Sequence, residues 1–278
     1  MESRGAKLFI RVGAAVALLF LFVPLVIVVL YAFNRSIGQR WPITSYTTKY
    51  FALAWHNPDL RTALWNSVQI GVAATLIALV LGSLAAFAVH RFQFFGRDTV
   101  SFLLVLPVAL PGIVTAIALS STITAFGASF GLVATLVGHA TFCIVVVYNN
   151  VLARLRRTPG SLVEASMDLG GDGWTTFRLV TFPAVRGALV AGALLAFALS
   201  FDEIIVTNFL IGTNLTVPKF IFDNIRQPRN RPIVNVVAVA AMLITLIPVI
   251  LAQRLAGGAT NPSVAGAKAQ SAQSGMGV

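Results

Sequence analysis

Long apolar runs alternate with short polar segments along this chain. Six runs stand out, at residues 8–33, 62–89, 100–126, 132–152, 187–210 and 233–251. Crossing a hydrocarbon core of ~30 Å takes about 20 residues of helix. Only helices and closed barrels satisfy their backbone in lipid, and barrel strands alternate in polarity over about 10 residues. The runs are continuous, so the pattern predicts an all-α membrane protein with six transmembrane helices. The first run is expected to be retained as a span. Its uncharged part, Val12–Phe33, exceeds the apolar core of a signal sequence, and no small-x-small cleavage site follows it.

Interruptions refine this outline. Pro24, Pro107, Pro111 and Pro248 fall inside runs, and Pro107 with Pro111-Gly112 predicts a kink or interruption of the third. Gly127–Gly131 leaves room for a tight hairpin between the third and fourth. Between the first and second runs lie Trp41, Tyr46, Tyr50, Phe51 and Trp55, which suit a segment at the membrane interface. Residues 1–256 thus read as one membrane domain with a polar loop at 153–186. Residues 257–278, rich in Gly, Ala, Ser and Gln, read as a disordered tail.

Composition supports the membrane reading. Hydrophobic residues make up 57% of the chain and charged ones 10%, where soluble domains carry about 25% charge. Mean hydropathy is +0.86. The net charge of +11 is explained by Lys and Arg beside anionic lipid headgroups, so nucleic acid is not an expected partner. Arg4, Lys7 and Arg11 precede the first run, and Arg154, Arg156 and Arg157 follow the fourth. By the positive-inside rule both termini and the 153–186 loop are expected in the cytoplasm. Cys143 is the single cysteine, so there is neither a disulfide framework nor a cysteine-based metal site.

The 153–186 loop is the unusual feature. Pro159-Gly160 breaks the chain, and Ser161-Leu162-Val163-Glu164 fits a capping box opening a short helix. That helix is expected to end at Gly170-Gly171, where a left-handed residue is inexpensive. Asp172 is placed to cap a second short helix, which is expected to stop before Pro183. Two stubby helices meeting at a sharp corner result. An ordinary interfacial linker has the same local ingredients.

What lifts the segment above a linker is its wording. Glu164-Ala165-Ser166, three residues, Gly170, nine residues, then Val180-Thr181-Phe182-Pro183 resembles the EAA-x3-G-x9-I-x-L-P loop of membrane subunits of binding-protein-dependent ABC importers. The departures are Ser166 for Ala, Val180 for Ile and Phe182 for Leu. Segments such as "GSLAAFAVHRFQFFGRD", "LPVALPGIVTAIAL" and "LSFDEIIVTNFLIG" resemble one branch, the spermidine/putrescine-type permeases, from about Leu8 to Leu255. The resemblance implies a type I ABC importer (MetI-like) transmembrane domain. It implies that the loop is a coupling helix docking on a cytoplasmic ATPase, with Glu164, Ala165, Ser166, Asp168, Leu169, Gly170 and Pro183 expected as the coupling residues. It also implies an ATPase dimer, a second similar permease, an extracytoplasmic solute-binding protein and a place in the bacterial cytoplasmic (inner) membrane.

This chain is not expected to be an enzyme or to bind a cofactor of its own. It has no G-x-x-x-x-G-K-[ST] phosphate loop, so ATP and Mg²⁺ belong on the partner ATPase. Asp202-Glu203 lies inside the fifth run, where a carboxylate costs about 2.5–3.5 kcal/mol. At 1.5 Å per residue, Asp202 lies about 24 Å beyond Arg186, in the outer part of the membrane. Two readings stand: an acidic site on the path of a cationic solute, or a structural pair capping a helix break or bonding a partner. Gly127-Ala128-Ser129-Phe130-Gly131 fits G-x-S-x-G, but a nucleophile elbow needs a strand before it. His139 and Asn149-Asn150 read as hydrogen-bonding groups within the bundle, and no metal-ligand spacing occurs. A permease for another small solute remains an alternative. A self-contained secondary transporter is weaker, since a break is expected only in the third span with no counterpart in the other half.

Overall fold

The structure is a computed structural model that describes residues 4–257, so the 258–278 part of the expected tail lies outside it. Twelve α-helices account for nearly all regular structure among these residues. Five stretches are long and apolar enough to cross a membrane, and a bent pair makes a sixth if it counts as one span. By contact the chain separates into two units. Residues 4–64 with Val217–Ile244 form one, and Trp65–Thr216 with residues 245–257 form the other.

The first unit holds α1 (Arg4–Ala32), α2 (Lys49–Trp55), the opening of α3 (Pro58–Arg91), α11 (Val217–Asn224) and most of α12 (Arg231–Gly257). The segment between α1 and α2 folds back on itself. Thr47 N–H donates to Phe33 O at 2.7 Å and Tyr50 O–H to Arg35 O at 3.1 Å, while Phe33 and Phe51 pack at 4.8 Å. Trp41, Tyr46 and Trp55 stay exposed, as interfacial aromatics should.

The second unit is organised around α6 (Leu132–Arg157), whose Cys143, Val147, Tyr148, Val151, Leu152 and Leu155 are buried. Lipid supplies no hydrophobic drive between helices, so close packing depends on small residues. Ala74, Ala78 and Ala86 of α3 and Ala196 of α9 sit in this core. At Gly82 a Cβ would lie 2.8 Å from the Ile144 carbonyl oxygen, so α3 and α6 touch there backbone to backbone.

The third run is far more than kinked. It divides into α4 (Arg97–Ala109) and α5 (Gly112–Ala125), bent by 105°. Pro111 removes an amide and forces Leu110 into an extended conformation (ψ 146°). Gly127 (φ 65°) and Gly131 (φ 153°) then close the short hairpin into α6. The fourth helix outruns its expected end at 152 by a turn and carries Arg154–Arg157. The fifth stops short of 210: α9 (Phe182–Asp202) ends at the acidic pair, and α10 (Ile205–Leu210) follows as a separate turn and a half.

Candidate functional site

The loop after α6 is built around its glycines. Thr158 is extended ahead of Pro159 (ψ 121°), and α7 (Ser161–Asp168) begins at once. The expected capping box does not form. Gly160 is the N-cap and already helical (φ −61°, ψ −30°), with no side-chain cap. Ser161 therefore sits inside the first turn, without the extended backbone from which a cap reaches forward. Glu164 N–H donates instead to Gly160 O at 3.1 Å.

The end of α7 follows the expectation. Gly170 is left-handed (φ 83°), its N–H donates to Met167 O and that of Gly171 to Ser166 O, both at 2.9 Å. This pair of bonds is the Schellman arrangement. Asp172 caps α8 (Gly173–Thr176), accepting from Thr175 N–H at 2.7 Å, and these bonds to Thr175 hold its carboxyl below the ordinary carboxylate range. Ser166, one of the departures from the family wording, bonds the buried Thr176 hydroxyl at 2.9 Å and braces the corner.

The second arm is no stub, which corrects the expected stop before Pro183. Gly173–Asp202 is one continuous 30-residue helix. A π-helical turn at Phe177–Thr181 widens it, and Phe182 N–H reaches back five residues to Phe177 O. The wider turn accommodates the Pro183 ring, which in a regular helix would clash with the carbonyl four residues earlier. Phe177 packs against Phe87 of α3 and stacks on Trp174, each at 5.7 Å, and Arg154 Nε donates to Ala184 O at 2.8 Å. The arm is thereby fixed to α3 and α6.

Glu164, Ala165, Asp168, Leu169 and Gly170 are all exposed on α7 and its corner, with Ser166 half-buried beneath them. Pro183 is apart from this group, in the first turn of α9. Leu169 is 89% exposed and Trp174 68%. Sequence reasoning missed Trp174, Thr176 and Phe177. The available signal was their spacing after Asp172, which puts Thr176 and Phe177 one turn beyond a capped start.

The acidic pair lies at a helix break inside the fifth run, the placement that the structural reading of the pair described. Asp202 ends α9 and is exposed. Glu203 is extended (ψ 113°); its Oε1 accepts Val206 N–H at 3.0 Å and its carbonyl accepts the Thr207 hydroxyl at 2.6 Å. Glu203 thus caps α10, and Asp202 is the carboxylate left facing outward. Beneath the break, the buried His139 contacts Ser200 Oγ at 2.8 Å and Thr207 Oγ1 at 2.9 Å, the bundle hydrogen bonding expected of it. The G-x-S-x-G match joins two helices with no strand before it. Among the described residues no group of three His, Cys, Asp or Glu side chains is arranged to hold a metal.

This fold is the membrane-spanning architecture of ABC importers. It superposes on a chain of a bacterial ABC transporter that imports the acidic polysaccharide alginate, with a TM-score of 0.70 at 15% identity, covering 91% of this chain and 98% of that one. For the inward-facing MetNI methionine ABC transporter the TM-score is 0.62 at 17% identity, covering 76% and 99%. The profile of the family described as binding-protein-dependent transport system inner membrane component matches residues 78–263, and the chain belongs to that family. Among its relatives, the spermidine/putrescine transport system permease protein PotC of Escherichia coli (strain K12) is 32% identical over 239 residues, 85% of this chain and 89% of that protein. The putrescine transport system permease protein PotI of the same strain is 30% identical over 228 residues, 79% and 80% of the two chains.

Proposed function

We propose that this chain is a permease subunit of an ATP-driven importer of polyamines such as putrescine and spermidine, lining half of the translocation path. The observation that carries the reading is the unbroken helix from Gly173 to Asp202. At 1.5 Å per residue it spans about 45 Å, with the braced loop corner at one end and an outward-facing carboxylate at the other. A push on the corner therefore arrives at the path as a tilt of one rigid rod. Glu164, Ala165, Asp168 and Leu169 present the knob, Ser166 and Gly170 shape it, and Pro183 with the π turn sets where the rod enters the membrane.

The push comes from a pair of cytoplasmic ATPase subunits closing around ATP and Mg²⁺, since this sequence has no phosphate loop and does no catalysis itself. A second permease of the same family supplies the other half of the path, and an extracytoplasmic binding protein delivers the solute. Polyamine cargo is supported by the names of the relatives and by Asp202, whose charge suits a cation. The Lys and Arg distribution supports cytoplasmic termini and a cytoplasmic loop in the bacterial inner membrane.

The test is purification of the tagged chain from its native membrane in gentle detergent, with its partners identified by mass spectrometry. Co-purification of an ATPase, a second permease and a binding protein that takes up putrescine or spermidine on titration is the expected result. Recovery of the chain alone, from membranes whose other complexes stay intact, contradicts the proposal. A binding protein that ignores polyamines and binds another solute moves the cargo and leaves the machine.

A further inference from the structure

We propose that His139 is a positioning residue for transport: it clasps the two parts of the fifth span across their break and so fixes the direction of the Asp202 carboxylate. Ser200 belongs to α9 and Thr207 to α10, and the extended Glu203 lies between them. His139 comes from α6 and reaches both, at 2% exposure. One side chain thus bonds residues on both sides of the interruption.

One bond of this group has a fixed direction, and it orders its neighbour. The Thr207 hydroxyl lies 2.6 Å from the Glu203 carbonyl oxygen, which only accepts, so its single proton is committed there. Thr207 Oγ1 can then only accept from His139, which places the ring proton on Nε2. Nδ1 lies 2.8 Å from the Ser200 hydroxyl, which can donate to it or accept from it. One connected chain results, linking Ser200, the ring, Thr207 and the Glu203 carbonyl. It ends on the backbone of the residue next to Asp202, at the point where the helix stops. Both ring nitrogens are used, and a buried group with an unmet nitrogen in lipid-solvated surroundings is costly, so the arrangement resists slippage.

Folding does not require the clasp. Thr75, Thr122, Thr124, Thr135 and Thr141 all donate to the carbonyl four residues back in their own helices. Thr207 already does the same to Glu203. Losing the ring therefore leaves that hydroxyl satisfied while freeing α10 to pivot against α9.

The consequence for transport rests on the proposed path role of Asp202, whereas the clasp is read by position alone. The experiment uses the assembled complex in membrane vesicles, with Cys143→Ser and Asp202→Cys, and follows alkylation at position 202 by a small charged thiol reagent. His139→Leu removes both bonds, Ser200→Ala removes the one to α9 and leaves the Thr207–Glu203 bond in place, and Thr207→Ser keeps every hydroxyl of the chain. With one net hydrogen bond lost, Ser200→Ala is expected to change the alkylation rate about fivefold, and His139→Leu, with both lost, by more. Thr207→Ser is expected to stay within about twofold. Unchanged rates in both His139→Leu and Ser200→Ala overturn the clasp; if His139→Leu does not assemble, Ser200→Ala decides alone. Separately, Asp202→Asn in the otherwise native chain is assayed for polyamine uptake. Normal uptake there refutes the path role, and the alkylation series still decides the clasp.

Discussion

Gly170 sits at the corner of the loop with φ at 83° and nothing within 4 Å of where a Cβ would stand. A side chain there meets no neighbour, so the cost of a substitution is conformational. Left-handed backbone costs an L-residue about 1–2 kcal/mol, and a β-branched residue lies at the upper end or beyond. Gly170→Val should therefore lower the ratio of closed to open corner about 5–30-fold, because the bonds from Gly170 and Gly171 to Met167 and Ser166 hold only while Gly170 stays left-handed. Asn tolerates this region best after Gly, so Gly170→Asn should be mild. Gly171→Ala fails for another reason: its Cβ would lie 2.8 Å from the Ser166 carbonyl oxygen. Gly173→Ala meets nothing within 4 Å at an ordinary φ and serves as the control. The assay is solute-stimulated ATP hydrolysis by the complete complex in proteoliposomes, beside the amount of chain inserted and assembled. Insertion should be equal throughout, since the apolar spans carry it. Stimulation should be near normal for Gly173→Ala, reduced for Gly170→Asn, and lost for Gly170→Val and Gly171→Ala. Normal stimulation with Gly170→Val refutes the reasoning. Equal loss with Asn and Val shows that the corner tolerates no side chain against its partner, whatever its backbone preference.

Three further outcomes are expected. Gly82→Ala should destabilise the purified chain by about 1–3 kcal/mol, seen as a lower unfolding temperature in detergent, because its Cβ would meet the Ile144 carbonyl oxygen at 2.8 Å. Glu203→Ala should cost about 1 kcal/mol through loss of the cap on Val206, whereas Glu203→Gln, which keeps an acceptor, should retain most of it in the same measurement. Hydrogen bonds to Thr175 lower the Asp172 carboxyl below its ordinary value, so its contribution is present above that ordinary value and fades as pH falls through the lowered one. Amide exchange at Thr175, corrected for its intrinsic rate, should accelerate over that acid range, and Asp172→Asn should abolish the extra acceleration.

Length made the spans legible, since an apolar run of twenty or more residues has few other destinations. Their ends were less so. Arg154–Arg157 are good helix formers, and hydropathy marks where lipid ends rather than where a helix does. The corner was readable because Gly170 has only a few conformational uses, while the capping box was misread because Gly160 had already entered the helix. Pro183 pointed to a stop that a π turn circumvents, and nothing in a one-dimensional pattern reports a helix that widens. The break after Asp202 was one of two readings of the acidic pair and no more, because the apolar run continues through residues 204–210 with neither Pro nor Gly. The His139 clasp joins residues 61 and 68 positions apart, a pairing only the packed bundle reveals.

The proposed contact is between an ATPase and the corner formed by α7 and Gly170. It is tested most directly by placing a photocrosslinking residue at position 169, whose native leucine is 89% exposed, and irradiating intact native membranes. The expected result is a crosslink to a polypeptide that carries a phosphate-binding loop, diminished when Gly170→Val is introduced as well. Crosslinks to lipid alone, in membranes where the chain is assembled and active, would contradict it.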